Sequence, residues 1–162
     1  MRRGLLMGIV AAFGARALMN RLLLAQFRRS LDSLNAGDYG PLLASYADDA
    51  VLHFNDGPHR WAGEHRGKPA IERFLQEFVG AGLQGRILAL WTAGPPWAMT
   101  MAVRFDDEAR AGGEQLYANR VAMVIRTRWG RVVEQQDFYE DSVRILAFEQ
   151  ALREHGIEPV AA

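Results

Sequence analysis

The sequence contains no cysteine, which excludes disulfide bonds, thiolate metal sites and cysteine nucleophiles. It also lacks an excess of charge of either sign, because 19 basic residues balance 19 acidic ones. A chain without net charge has no overall attraction for nucleic acid, and we predict no nucleic-acid partner. Any chemistry must therefore come from carboxylates, histidines, tyrosines or arginines.

Long apolar runs are also missing, since a membrane-spanning helix needs about 20 apolar residues and the run at 5–13 is much shorter. Residues 1–30 nevertheless contain six arginines and no acidic residue. Three interpretations of an N-terminal extension at residues 1–17 remain open. It adds a helical turn to the domain, it contacts an anionic membrane or a partner, or it is a cleaved export signal. We expect a cytoplasmic protein.

The length of 162 residues suits one domain, which we place at residues 18–156 with a tail at 157–162. Apolar spacing predicts a long helix from Leu18, a short helix from Asp38, a strand at Val51–Phe54 and a helix from Pro69. Four strands then form an antiparallel meander, and a last helix begins near Ser142. This order predicts an α+β fold, with a curved, mostly antiparallel sheet, mixed at its edge, forming a cone around three helices. The interior of such a cone is an apolar pocket.

Five segments, taken in order, resemble the SnoaL-like and ketosteroid-isomerase-like branch of the nuclear-transport-factor-2-like superfamily. They are the end of the first helix at 34–38, the strand entry at 46–51, the loop and helix start at 62–71, and the closing hairpin at 117–121 and 130–141. The resemblance implies a pocket protein that works without a cofactor. The superfamily includes isomerases, cyclases, epoxide hydrolases and binding modules, so it does not define the reaction.

Asp137 is the leading candidate for chemistry. It lies on the last predicted strand in step with Gln135 and Tyr139, and its position resembles that of a pocket aspartate in limonene-epoxide-hydrolase-like proteins. A carboxyl group in an apolar cavity has a raised pKa and can exchange a proton near neutral pH. The alternative is a carboxylate at the rim that pairs with an arginine.

Arg104 and Asp106 resemble the arginine and aspartate that complete the catalytic set of an epoxide hydrolase, and we include them as catalytic candidates. Alternation along the same strand favours an outward direction for both, toward a turn predicted at 107–108. The resemblance also shows losses. Leu52 and Phe54 replace the residues that hold water in such hydrolases, and Phe54 also replaces the base of the isomerase.

The predicted ligand-binding residues are polar or aromatic side chains on strands and in the loop at 56–67. They are His53, Phe54, Trp61, Tyr46, Tyr117, Asn119, Arg120, Gln135 and Tyr139. His53 shares a strand face with Val51, which also fits a surface or dimer position. Histidines at 53, 59 and 65 match no known zinc spacing, so we predict no metal and no cofactor.

Two functions follow as hypotheses. The first is a cofactor-independent isomerase, cyclase or epoxide-hydrolase-like enzyme that acts on a small apolar or aromatic molecule through Asp137. The second is a non-catalytic module for ligand binding or dimerisation. A homodimer through the outer face of the sheet is expected in either case, because apolar residues on that face would otherwise be wet.

Overall fold

The computed structural model describes the backbone of residues 2–160 and the side chains from Gly14 onward except Ala15. It confirms the α+β fold. The helices are α1 (Arg2–Asn35), α2 (Gly40–Leu43), α3 (Lys68–Gly80) and α4 (Ser142–Glu154). The strands are β1 (Tyr46–His53), β2 (Glu64–Arg66), β3 (Leu83–Ala93), β4 (Thr100–Ala111), β5 (Glu114–Arg128) and β6 (Arg131–Tyr139).

The six strands form one curved, open sheet in the order β2-β1-β6-β5-β4-β3. All neighbours are antiparallel except β1 and β6, which are parallel, so the meander and the mixed edge are both confirmed. Strand β2 corrects the prediction of a continuous loop at 56–67, because it pairs with Val51–His53. Three residues are too few for alternation to be recognised in a sequence.

Strand β4 also corrects the predicted turn at 107–108. The strand continues to Ala111, and the chain reverses at Gly112 and Gly113, which both have positive φ. Glycine adopts this conformation without steric cost. The longer strand keeps Asp107 in step with Val103 and Phe105, on the face that points into the cone.

Helix α1 runs along β3, the edge strand of the sheet. The amide of Asn35 bonds both backbone groups of Gly85, at 2.9 and 2.8 Å, while Thr92 bonds Asn20 at 2.6 Å. Gly85 has no room for a side chain, since a Cβ would lie 2.2 Å from the ring of Phe105. The sequence predicts the first helix from Leu18, but it begins earlier, at Arg2. The side chains of residues 1–13 and 15 lie outside the described residues.

A buried ion group joins the loop before β2 to the C-terminal segment. The guanidinium of Arg60 lies 2.9 Å from Glu149 and 3.5 Å from Glu77, and its side chain is only 2% exposed. Arg60 also donates to the carbonyl of Ile157, and Glu77 accepts from the amide of Val160. Charges this deeply buried are tolerated only as partners of one another, so the group holds the loop, α3, α4 and the chain end together.

Among the described residues, no helix is both long enough and apolar enough to cross a membrane.

Candidate functional site

Asp137 lies on the inner face of β6, directly opposite Met123 of β5. Only 8% of its surface is exposed, and Gln135 donates to its Oδ1 at 2.9 Å. Burial raises the pKa of Asp137 to about 7, although the hydrogen bond from Gln135 works in the opposite direction. The carboxyl group is therefore balanced between its acid and base forms near neutral pH.

Two further polar side chains extend from Asp137 into the cone. Tyr46 donates its hydroxyl to Oε1 of Gln135 at 2.5 Å, and this bond fixes the orientation of the amide. Burial raises the pKa of Tyr46 far above its usual value, so its hydroxyl remains a donor. Gln135 is thereby held with its amino group toward Asp137.

Asp107 is a second buried carboxyl group, which sequence reasoning missed. It lies on the inner face of β4, is 3% exposed, and accepts from the hydroxyl of Tyr139 at 3.0 Å through Oδ2. Its Oδ1 is buried and has no hydrogen-bond partner. Burial raises the pKa of Asp107 to about 7, and the charge of Asp137 raises it further. The sequence signal for Asp107 is that it continues the alternation of inward-facing residues that Val103 and Phe105 begin.

Tyr139 connects the two carboxyl groups. It follows Asp137 by two residues on the same face of β6 and donates to Asp107. Burial raises the pKa of Tyr139 well above its usual value, and both carboxylates add to this effect. The charge of Asp137 contributes to the raised pKa of Asp107. Near neutral pH, both carboxyl groups are therefore partly protonated.

A small apolar cavity lies on the other side of Gln135 from Asp137. Its volume is about 60 Å³, and its polar lining consists of Tyr46 and Gln135 among apolar side chains such as Phe27 and Phe105. Pockets for organic ligands usually have volumes of about 300–1,000 Å³. A ligand must therefore displace covering side chains, of which Phe27 on α1 is only partly buried.

Aromatic side chains cover the site toward the loop between β1 and β2. The ring of Phe54 lies 4.7 Å from that of Tyr139, while Trp61 and Tyr117 both stack on Phe148, at 5.8 and 4.6 Å. Nε1 of Trp61 is buried without a hydrogen-bond partner, as is Nδ1 of His59 in the same loop. Burial lowers the pKa of His59 and favours the neutral ring at pH 7. The cover on this side is therefore aromatic, with the guanidinium of Arg60 5.6 Å from the ring of Trp61.

The remaining predicted site residues do not join Asp137. Arg104 and Asp106 alternate with inward-facing Val103 and Phe105, so they lie on the outer face, where Asp106 pairs with Arg86 at 3.3 Å. The structure thus does not assemble Arg104, Asp106 and Asp137 into one set.

Two further candidates also lie apart from the buried carboxyl groups, whereas a third, Asn119, is the cross-strand neighbour of Asp107. Arg120 pairs with Glu140 at 3.0 Å on the outer face, and His53 lies 3.6 Å from Glu64 with 37% of its side chain exposed. Asn119 points inward, but its amide donates to the carbonyl of Asp141 at 2.7 Å, next to the start of α4. Its contact therefore fixes the helix to the sheet.

An open groove of about 590 Å³ lies across β3, β4 and β5, and it is much larger than the inner cavity. Its charged side chains already neutralise one another: Arg86 with Asp106, Arg120 with Glu140, and Arg144 with Asp141. The groove offers no unpaired arginine to a ligand, but Asp107 is among its lining residues, so one of the two buried carboxyl groups borders this groove. In the described part of the chain, no three histidine or acidic side chains are grouped as metal ligands.

The comparisons with known proteins agree with the fold. The family model of the SnoaL-like domain matches residues 27–135. No curated protein matches the chain. Solved structures do, including Bal32a from a soil-derived mobile gene cassette, with a TM-score of 0.60, 22% identity, and coverage of 81% of this chain and 96% of that one.

Two other solved structures are similar. A nuclear-transport-factor-2-like protein of Anabaena variabilis has a TM-score of 0.59 and 20% identity, over 76% of this chain and 90% of that one. A candidate polyketide cyclase of Sinorhizobium meliloti has a TM-score of 0.53 and 18% identity, over 70% of this chain and 94% of that one. At such identities the similarity shows the fold alone.

Proposed function

The chain belongs to the SnoaL-like domain family, and we propose that it is a cofactor-independent enzyme that transfers a proton on a small, largely apolar substrate. One observation carries the proposal: two buried carboxyl groups, Asp107 and Asp137, both have a pKa near 7 and share the inner face of the cone. Structural carboxylates normally have a low pKa, because arginines or backbone amides stabilise their charge. Carboxyl groups kept near neutrality in an apolar interior suit acid–base catalysis.

The two carboxyl groups have different partners and hence different roles in the proposal. Asp137 accepts a hydrogen bond from Gln135 that stabilises its ionised form, and it acts as the base that removes a proton from a substrate carbon. Asp107, in its protonated form, holds its proton on the unpartnered Oδ1 and donates it to the oxygen on which negative charge develops. The proton on Asp137 then moves to another carbon of the substrate while Asp107 takes its proton back from the oxygen, which gives isomerisation and restores both carboxyl groups.

Tyr139 acts as a positioning residue in this scheme. Its hydroxyl donates to Oδ2 of Asp107, which leaves Oδ1 as the oxygen that carries the proton. The apolar surroundings, among them Phe54 at 4.7 Å from Tyr139, exclude water and strengthen these interactions. The substrate that fits such surroundings is apolar or aromatic, with one carbonyl oxygen for Asp107.

The proposed activity is tested by hydrogen exchange. Cyclic β,γ-unsaturated ketones and aromatic ketones are incubated with the protein in D₂O, and deuterium incorporation next to the carbonyl is followed by mass spectrometry. We expect the Asp106→Asn variant to match the wild type, because Asp106 lies on the outer face. Tyr139→Phe is expected to lower the rate about tenfold and to shift its pH profile, since Asp107 loses its partner.

The alternative function is a non-catalytic module that holds an apolar ligand. The lining of the small inner cavity favours it, because that lining is mostly apolar and contains neither Asp107 nor Asp137. If the wild type exchanges no deuterium into any of these ketones, yet native mass spectrometry shows a retained apolar molecule, the enzyme proposal is wrong and the binding module remains.

We further propose a homodimer through the outer face of the sheet. Trp91 of β3, Ala102 of β4 and Val124 of β5 pair as neighbours across three strands, and Phe138 of β6 lies beside this row, opposite Ala122 of β5. Trp91 is 58% exposed and Phe138 is 47% exposed, so the row is an apolar patch in contact with water. Light scattering is expected to give twice the monomer mass for the wild type.

The dimer proposal has a matched pair of variants. Val124→Glu places a charge at the centre of the patch and is expected to give a monomer. Val143→Glu adds the same charge at an exposed position on α4 and should leave the dimer intact. A wild type that is monomeric at every concentration, or a Val124→Glu variant that remains dimeric, would contradict the proposal.

A further inference from the structure

Two tryptophans lie together at one end of the sheet and are largely exposed. Trp97 is in the connection between β3 and β4, and Trp129 is in the turn between β5 and β6. The backbone amide of Trp129 donates to the carbonyl of Trp97 at 3.0 Å, so the two segments are in direct contact. Trp97 is 54% exposed and Trp129 is 78% exposed. Neither contributes to the core or to the carboxyl pair.

The backbone holds both tryptophans in fixed positions. Trp97 follows Pro95 and Pro96 in a tight turn closed by a 3.0 Å bond from the amide of Ala98 to the carbonyl of Pro95. Trp129 has a φ of 51°, which is unusual for a bulky residue, because such turns favour asparagine, aspartate or glycine. The turn itself does not require a large aromatic side chain at this position. The ring of Trp129 instead lies exposed on the surface.

Helix α1 reaches the same end of the molecule. The guanidinium of Arg16 donates to the carbonyl of Gly94, in the connection that carries Trp97, at 3.0 Å. The helix continues from this contact back to Arg2. At a rise of 1.5 Å per residue, residues 2–15 make about 20 Å of helix beyond Arg16. Arg16 of α1 thus lies against the connection that carries Trp97.

The charge of this part of the chain is strongly one-sided. Residues 1–31 contain Arg2, Arg3, Arg16, Arg21, Arg28 and Arg29 and no acidic residue, whereas the rest of the chain has 13 basic and 19 acidic residues. Residues 5–13 between the arginines are all apolar except for one glycine. Arginine-rich helices with apolar residues attach to anionic lipid surfaces, and tryptophan prefers the interface between lipid and water.

We propose that Trp97, Trp129 and the N-terminal half of α1 form one surface that binds anionic phospholipid bilayers. The tryptophan rings enter the interfacial layer, and the arginines contact the lipid phosphates. The helix lies on the bilayer and does not cross it, because its apolar run is too short. This surface is at the sheet end next to Trp97 and is separate from the carboxyl pair, so the proposal stands independently of the catalytic one.

The proposal is tested with the full chain and vesicles in co-sedimentation at 0.1 M salt. Vesicles of phosphatidylcholine alone are compared with vesicles that contain 30 mol% phosphatidylglycerol. We expect the wild type to bind the anionic vesicles at least tenfold more tightly, and to release them in 1 M salt. The double variant Trp97→Ala/Trp129→Ala should bind about tenfold more weakly, whereas Val143→Ala, an exposed apolar side chain on α4, should bind like the wild type.

A second variant makes the test independent of the tryptophans. Arg16→Glu/Arg21→Glu reverses two charges of α1 and is expected to weaken binding to anionic vesicles about tenfold or more. The proposal fails if the wild type does not bind these vesicles, or if both double variants, folded by circular dichroism, bind as tightly as the wild type. Binding to duplex DNA in place of the vesicles would also overturn it and would identify a nucleic-acid surface.

Discussion

At pH 8, the Asp137→Asn variant is expected to have a higher free energy of unfolding than the wild type, and to lose its proton-transfer activity. The pKa of Asp137 is about 7 in the folded protein, against about 3.9 in an unfolded chain. The native state therefore holds its proton more tightly than the unfolded state. Stability is complete below about pH 4 and falls as the pH rises to about 7, because the buried carboxyl group must then ionise.

Asparagine at this position is neutral at every pH and can still accept the hydrogen bond from Gln135. A difference of three pKa units corresponds to about 4 kcal/mol, so we expect the variant to be more stable by that order at pH 8 and by about 1 kcal/mol at pH 5. Hydrogen exchange into a ketone substrate should fall at least a hundredfold. A gain in stability that accompanies a loss of activity is the mark of a functional residue.

Urea unfolding at pH 5 and pH 8 checks the stability part, with Asp106→Asn as the control on the outer face. The control removes a carboxyl group paired with an exposed arginine, so it should leave the pH dependence unchanged. If Asp137→Asn has the same difference between the two pH values as the wild type, Asp137 does not have a raised pKa. If it also retains full exchange activity, the catalytic proposal is wrong.

Replacement of Arg60 by methionine is expected to destabilise the protein by about 3–5 kcal/mol. The change leaves the carboxylates of Glu77 and Glu149 without their shared partner inside the protein. Burial alone would raise the pKa of Glu149, but its hydrogen bonds to Arg60 hold it below the usual range. Loss of Arg60 should therefore raise the pKa of Glu149 and shift the stability maximum toward acid pH.

Arg153→Ala is the matched control, because Arg153 also bonds Glu149, at 3.2 Å, but has a 60% exposed side chain. Its loss should cost less than about 1 kcal/mol. Chemical unfolding at pH 7 measures both variants. The double variant Arg60→Met/Glu149→Leu should recover part of the loss, since it removes one unpaired charge. If the two single variants lower the free energy of unfolding equally, the burial of Arg60 does not increase its contribution to stability.

Much of the fold can be predicted from apolar spacing alone. Helix α3 is clear because Ile71, Phe74 and Phe78 repeat at helical intervals, and the meander is clear because β4 and β5 alternate. Strand β2 cannot be predicted in this way, because three residues contain no period and its only reason to be a strand is the neighbouring edge of β1.

The site is predictable in part, for a related reason. Asp137 is recognisable because it alternates with Gln135 and Tyr139 near the end of a well-marked strand. Asp107 is not, because it stands between Asp106 and Glu108, and three acidic residues in a row are typical of an exposed turn. Its burial depends on the partner strands and on Tyr139, which lies 32 positions away in the chain. Alternation with Val103 and Phe105 marks the face on which Asp107 lies, but its long-range cover has no local signature.

During synthesis of the chain, α1 is made well before β3, the strand on which it lies. The contacts from Asn35 to Gly85 and from Arg16 to Gly94 span 50 and 78 residues. A ribosome that adds about 5–20 residues per second needs several seconds to cover that interval. During this time the arginine-rich helix is already outside the ribosome while β3 is not yet made. The docking of α1 on the sheet must therefore follow the synthesis of β3, which comes after the helix has left the ribosome.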